Sequence, residues 1–316
     1  MKITVLDRSS MGMDLPIDKL SEFGEVEIYD ITSPDQVVER TQYSDVIILN
    51  KVKITDEIIS RSKNLKLICV FATGFDNIDI LSAKNHGVAV CNVPGYSTDS
   101  VVLFTLANVL ALYSKLYEYN SFVKNGDYTK SSAPNKLTPV YHELKGKTWG
   151  IVGLGNIGKA VAKVAEAMGA RVIAYKRVPT DEYKCVDIDE LCRESDIITL
   201  HCPLNQGTNG LINKEKIDLM KRDVVIVNEA RGAVVNELDI RDAILEGRIG
   251  AFGSDVYSVE PFPADHPFYD IKDKNNVLLT PHAAWGAYES RVRCLDIICE
   301  NIRCFTNNKI QNRADI

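Results

Sequence analysis

No two of the eight cysteines form a CxxC pair, and no cysteine or histidine spacing resembles a zinc site. Cys294, Cys299 and Cys304 repeat every five residues, but on a helix each such step turns by about 140°, so they share no metal-binding face. Scattered thiols without a disulfide framework fit a reducing compartment. Excess positive charge is missing as well: 37 Lys and Arg against 43 Asp and Glu leave a formal charge of −6. That balance offers no footprint for nucleic acid and no attraction to an acidic membrane surface. Long hydrophobic runs are scarce. The longest, Val101 to Tyr113, is too short to span a bilayer and carries Thr105 and Asn108. The opening MKITVLDRSS has neither an apolar signal core nor an arginine-rich transit pattern, and no internal repeat or low-complexity tract is present. The expectation is a cytoplasmic protein of small-molecule chemistry, with no nucleic-acid, membrane or metal partner.

What is present is regular alternation. The 316 residues, 45% hydrophobic and 25% charged, suffice for one large or two ordinary domains. Short β-rich runs at Ile3 to Leu6, Val26 to Tyr29, Val46 to Leu49, Leu67 to Phe71 and Val88 to Cys91 are separated by helical or polar segments, the pattern of an open parallel sheet. One long helical stretch from about Thr98 to Lys124 follows, then a polar, proline-containing loop at Ser131 to Pro139. Alternation resumes with strand candidates at Val172 to Tyr175, Ile197 to His201, Val224 to Val227, Gly250 to Ser254 and Val277 to Leu279.

Between these halves stands Gly153-Leu154-Gly155-Asn156-Ile157-Gly158. The apolar run Thr148 to Val152 enters it, and Val161, Val164, Ala165 and Met168 leave it at helical spacing. GxGxxG between a strand and a helix lets a pyrophosphate reach backbone N–H groups at the helix N-terminus. The second half therefore reads as a Rossmann domain over residues 99–281. The helix-like segment Ala287 to Asn307 is too short to stand alone. The fold class is thus α/β: a dinucleotide-binding Rossmann domain inserted into a flavodoxin-like substrate domain made of residues 1–98 and 282–316.

Three polar residues follow strand candidates of the inserted domain directly: Arg231, Glu260 and His282. Ligands of open α/β sheets bind beyond the carboxyl ends of the strands. A guanidinium followed by Gly232 can hold a carboxylate bidentately, His282 can exchange a proton near neutral pH, and Glu260 can orient the imidazole. Together they suit an acid with an adjacent carbonyl.

These residues resemble the D-isomer-specific 2-hydroxyacid dehydrogenases over nearly the whole chain. The resemblance rests on ATGFDNID at 72–79, VPGYSTDSV at 93–101, the glycine motif, HCPLNQGTNGLI at 201–212, NEARGAVVNE at 228–237, SDVYSVEP at 254–261 and TPHAAW at 280–285. It implies hydride transfer from NAD(P)H to a 2-oxo acid, with Arg231, Glu260 and His282 catalytic. It further implies cofactor contacts from Gly153, Gly155, Asn156, Ile157, Gly158, Pro203, Thr208, Ala230 and Asp255, and substrate contacts from Lys51, Thr73, Gly74, Arg231 and Trp285. Trp285, LNKVKITDEII and VCNVPGYSTDS resemble the glycerate dehydrogenase or hydroxypyruvate reductase branch. Lactate-like, branched or aromatic 2-oxo acids stay open, as does a dinucleotide sensor without turnover.

Two departures from the family pattern stand out. An NAD site generally has Asp or Glu about 20 residues past the motif. Here the strand ends in Tyr175-Lys176-Arg177, whose two cations suit either the extra phosphate of NADP or a solvated surface, so NAD(H) and NADP(H) both stay open with a lean to NADP(H). Val102-Leu103-Phe104 replaces a more polar Ala-Gln-His, which affects packing or a dimer surface. By the resemblance, the helix from Thr98 pairs two copies in a homodimer.

Overall fold

Runs of three to five aliphatic residues are too short for helices and too apolar for loops, and in the computed structural model, which describes residues 1–178 and 180–316, they become parallel strands. The chain divides into two compact units, Met1–Ser97 with Gly286–Ile316, and Thr98–Trp285.

The first unit opens with β1 (Lys2–Val5), β2 (Glu25–Ile28), α1 (Val37–Thr41), β3 (Val46–Leu49), α2 (Asp56–Arg61), β4 (Leu67–Val70), α3 (Ile80–Asn85) and β5 (Ala89–Cys91). Every strand pair is parallel and the sheet order is β2-β1-β3-β4-β5, the flavodoxin-like order. β3 and β4 are buried along their whole length, so they read as continuous rather than alternating apolar runs. Ile47, Leu49, Ile68 and Val70 meet Ile54, Ile58 and Ile59 in one core.

The second unit holds α4 (Thr98–Tyr113), α5 (Leu116–Lys124), β6 (Thr148–Val152), α6 (Asn156–Ala167), β7 (Arg171–Tyr175), β8 (Lys184–Cys185), α7 (Ile188–Glu194), β9 (Ile197–Leu200), α8 (Lys214–Leu219), β10 (Val225–Asn228), α9 (Glu237–Leu245), β11 (Ala251–Ser254) and β12 (Val277–Leu279). Its parallel sheet runs β12-β11-β10-β9-β6-β7-β8, the doubly wound Rossmann order with a seventh strand. Trp149 at its centre is fully buried and donates from Nε1 to Thr199 Oγ1 at 3.1 Å. Truncating so large a core side chain to alanine costs about 3–5 kcal/mol. The chain returns to the first unit as α10 (Tyr288–Thr306), which packs on β4.

Three expectations need correction. The stretch from Thr98 to Lys124 is two helices, bent by 67° and separated at Lys115, whose φ of 56° lies in the left-handed region. α4 is held against α6, β10 and β11, whereas α5 buries no residue, so nothing keeps the two collinear. β8 is an additional edge strand of only two residues, too short and polar to show as a hydrophobic run. The units also part after Trp285 rather than after Pro281. The reason is local: Asp255 of the second unit accepts the N–H groups of Ala283 and Ala284, and Ser100 donates to the Ala284 carbonyl. No single described helix is long and apolar enough to cross a membrane.

Candidate active site

The carboxyl ends of the second unit's strands carry most of the residues singled out above. After β6, Gly153 turns the chain at φ 96°, and a Cβ there would stand 2.6 Å from the Cys202 nitrogen. At Gly158 a Cβ would meet the Gly153 carbonyl oxygen at 2.1 Å, so the helix packs on the turn through bare backbone. Gly155 faces open space instead. It caps α6 without any side-chain hydrogen bond, which leaves the first N–H groups of a twelve-residue helix for an anion. Close packing at two glycines and an open approach at the third fit the pyrophosphate of a dinucleotide. Asn156 and Ile157 form the first turn of that helix.

Beyond β7, Lys176 is half-buried and Arg177 exposed. Glu182 lies close enough to Lys176 to feel its charge, but its ion pair is with Lys159 at 2.6 Å. Pro203 and Thr208 are tied to each other: the Thr208 hydroxyl donates to the Pro203 carbonyl at 2.6 Å and accepts from the Asn205 N–H.

Beyond β10, the Asn228 side chain accepts from the Ala230 N–H at 3.1 Å and donates to the Arg231 carbonyl at 3.0 Å. This clamp holds Arg231 in extended backbone geometry, with Nη1 donating to the Ala230 carbonyl at 2.8 Å. Only glycine fits at 232, because a Cβ would stand 1.9 Å from the Tyr257 carbonyl carbon. The Arg231 turn is therefore pressed onto the loop that bears Glu260.

That loop presents Glu260 to His282, with Oε2 and Nδ1 2.7 Å apart and both side chains about a quarter exposed. The Tyr257 N–H donates to the other oxygen of Glu260 at 3.1 Å. His282 sits at φ 52°, a conformation uncommon outside glycine and asparagine. Its support comes from Asp255, which accepts from the Thr280 hydroxyl at 2.6 Å and from the Ala283 and Ala284 N–H groups at 2.8 Å each. Burial raises the Asp255 pKa while these donors lower it. The acid that the resemblance implies as a cofactor contact is thus also the clamp of the histidine turn. Trp285, half-buried, ends the same segment.

Two half-buried titratable residues at these strand ends, their polar side-chain atoms shielded from water, were not anticipated. His201 follows β9 with neither ring nitrogen hydrogen-bonded among the described residues, and burial lowers its pKa to about 3. Glu229 follows β10, and burial, then the nearby Asp255, raises its pKa to about 8. The available signals were an acid within NEARG and a lone Asn108 inside an apolar helix; the two meet at 2.6 Å.

In the first unit, Asp7 accepts the N–H groups of Asn50 and Lys51 and so pins the Lys51 turn beyond β3. Lys51 lines a groove of about 950 Å³ that does not include Thr73 or Gly74. Thr73 is fixed by its hydroxyl to the Val93 carbonyl and by its own carbonyl to Asn92. The Thr73 and Gly74 N–H groups donate to nothing among the described residues. Among those residues no His, Cys, Asp and Glu grouping could hold a metal ion.

Residues 106–284 match the family described as D-isomer specific 2-hydroxyacid dehydrogenase, NAD binding domain. A hydroxypyruvate reductase of Blautia hydrogenotrophica is 37% identical over 96% of this chain and 97% of its own. Among solved structures, an acyclic imino acid reductase in complex with NADPH and D-Arg superposes with a TM-score of 0.88 at 31% identity, over 99% of each chain. A D-lactate dehydrogenase from Aquifex aeolicus complexed with NAD and lactic acid gives 0.89 at 28% identity, over 100% of this chain and 99% of that one.

Proposed function

The chain belongs to the D-isomer specific 2-hydroxyacid dehydrogenases, and from that premise we propose that it reversibly reduces hydroxypyruvate or glyoxylate to the D-2-hydroxy acid. The observation that carries this reading is the 2.7 Å pair of His282 and Glu260 beside the clamped Arg231 turn. Arg231 binds the substrate carboxylate and carbonyl through a charge-assisted contact. Glu260 holds Nδ1, so that Nε2 of His282 hands its proton to the carbonyl oxygen, or takes it back in the oxidative direction. Substrate contacts from Thr73, Gly74, Lys51 and Trp285 rest on the family resemblance alone. The first unit, Met1–Ser97 with Gly286–Ile316, is the substrate domain; the second, Thr98–Trp285, holds the cofactor.

The nicotinamide cofactor, when bound, supplies or accepts the hydride. Gly153, Gly155, Asn156, Ile157 and Gly158 cradle its pyrophosphate, and Pro203, Thr208, Ala230 and Asp255 border it. Lys176 and Arg177 favour the ribose phosphate of NADP(H) over NAD(H). Exposed Leu103, Leu110, Leu116, Tyr117 and Val123 on α4 and α5 support a homodimer formed through these helices. Eight thiols without a disulfide support a cytoplasmic setting.

The test is steady-state oxidation of NADH and NADPH against hydroxypyruvate, glyoxylate, pyruvate, phenylpyruvate and 2-oxoisocaproate, with H282A as control. The highest kcat/KM is expected for hydroxypyruvate with NADPH. A preference for pyruvate would move the substrate to lactate, and cofactor binding without turnover of any acid would leave a dinucleotide sensor.

A further inference from the structure

Glu229 has no part in the chemistry above, yet it is the least ordinary side chain at these strand ends. Asn228 pairs with Leu200 on one side and Ser254 on the other, so the next residue of each strand brings His201, Glu229 and Asp255 into one row. One oxygen of Glu229 accepts from Asn108 Nδ2 at 2.6 Å; the other is buried with no hydrogen-bond partner among the described residues. The sheet order turns back between β6 and β9, with the pyrophosphate turn at the end of β6. A dinucleotide spanning that crevice therefore lays its nicotinamide half over β9, β10 and β11, the strands that this row ends.

We propose that Glu229 answers the charge of the nicotinamide ring: it stays a neutral acid beside the reduced, uncharged ring and becomes a carboxylate beside the oxidised, cationic one. Binding of the oxidised cofactor then expels a proton that binding of the reduced cofactor does not. The inference rests on the nicotinamide-site reading above.

The groups facing Glu229 leave it this role. From β9 comes His201, kept neutral by burial. Asp255, after β11, takes three donors, which oppose the rise that burial gives its pKa, where Glu229 takes one. Tyr257 donates its hydroxyl to the Thr280 carbonyl at 2.8 Å, and burial holds its proton firmly. From α4 comes Asn108, which does not titrate. With one donor and an anionic neighbour, Glu229 is the carboxyl that keeps the proton, and its pKa near 8 puts the exchange within working pH. A neighbouring cation favours the ionised form, and each pKa unit it removes is a tenfold gain in affinity above the original pKa.

The experiment titrates NAD⁺ and NADH separately against the wild-type protein and E229Q from about pH 6 to about pH 9, with calorimetry in two buffers of different ionisation heat to count protons. Glutamine keeps the acceptor for Asn108 and cannot ionise. In the wild type, NAD⁺ should bind about tenfold more tightly at the alkaline end for each pKa unit removed, beyond any change seen with NADH. E229Q should lose that difference. H282A should still release the proton, which excludes the histidine as its source even if E229Q fails to fold. Equal pH dependence for the two cofactor forms, an unaltered difference in E229Q, or no proton release from H282A would each overturn the proposal. Failure of both forms to bind, and of NADP⁺ and NADPH in their place, would instead overturn the cofactor reading, and the proposal with it.

Discussion

The two halves of the second unit's sheet end in opposite ways. Past β10, β11 and β12 the functional side chains are held by other side chains: Asn228 clamps the Arg231 turn, Asp255 clamps the His282 turn, and Gly232 lets the two loops touch. Past β6 and β7 the site is bare backbone at Gly155 followed by the half-buried Lys176 and the exposed Arg177. Proton transfer tolerates little displacement, so its groups need a built support. An anion at a helix N-terminus needs only unpaired N–H groups and a favourable dipole. Substitutions should therefore be severe on the first side and graded on the second.

The contrast is tested most sharply by H282A, for which kcat should fall about 10³-fold while NADH affinity is retained. Near-normal turnover would show that the supported side is not where the proton moves. R231Q should lower kcat/KM about 10- to 100-fold, the worth of a hydrogen bond to a charged group, with most of the loss in KM if Arg231 mainly binds substrate.

D255N replaces an acceptor of three donors with an amide, so urea denaturation should show a loss of about 1–3 kcal/mol together with impaired turnover. A fully active, equally stable variant would mean that the His282 turn needs no clamp. For His201 the sign follows from its folded pKa of about 3, depressed from the usual value near 6.5. Neutral His201 stabilises the fold above the unfolded pKa, and this contribution is lost as pH falls from about 6.5 toward 3. H201F should therefore flatten the acid limb of the stability curve relative to wild type. The smallest effect belongs to the bare side: K176A/R177A should raise KM for NADPH about tenfold, as expected for loss of one charged contact, and leave NADH unchanged. Equal effects on both cofactors would remove the argument for NADP.

Much of this site was legible because strand, turn and helix signals lie close together along the chain. The glycine motif between an apolar run and a helical one located the turn after β6, and three polar residues after apolar runs located Arg231, Glu260 and His282. The break at Lys115 was hidden, since helical residues continue on both sides and only the lack of packing under α5 separates them. β8 was hidden because two residues carry no period. Glu229 was hidden because its environment comes from Asn108 and Asp255, 121 residues before it and 26 after it.

Sequence by itself determined the two parallel sheets, the dinucleotide turn and the family, because each rests on periodicity or on glycines that the local backbone requires. Tertiary structure alone decided what Asp255 and Glu229 do. Asp255 holds a turn, Glu260 holds an imidazole at 2.7 Å, and Glu229 keeps a proton. The letters pointed Glu260 at the imidazole but showed neither the clamp at Asp255 nor the shielding of Glu229: an acid's role depends on how many donors reach it and how much water is excluded, and both are set by residues distant in the chain.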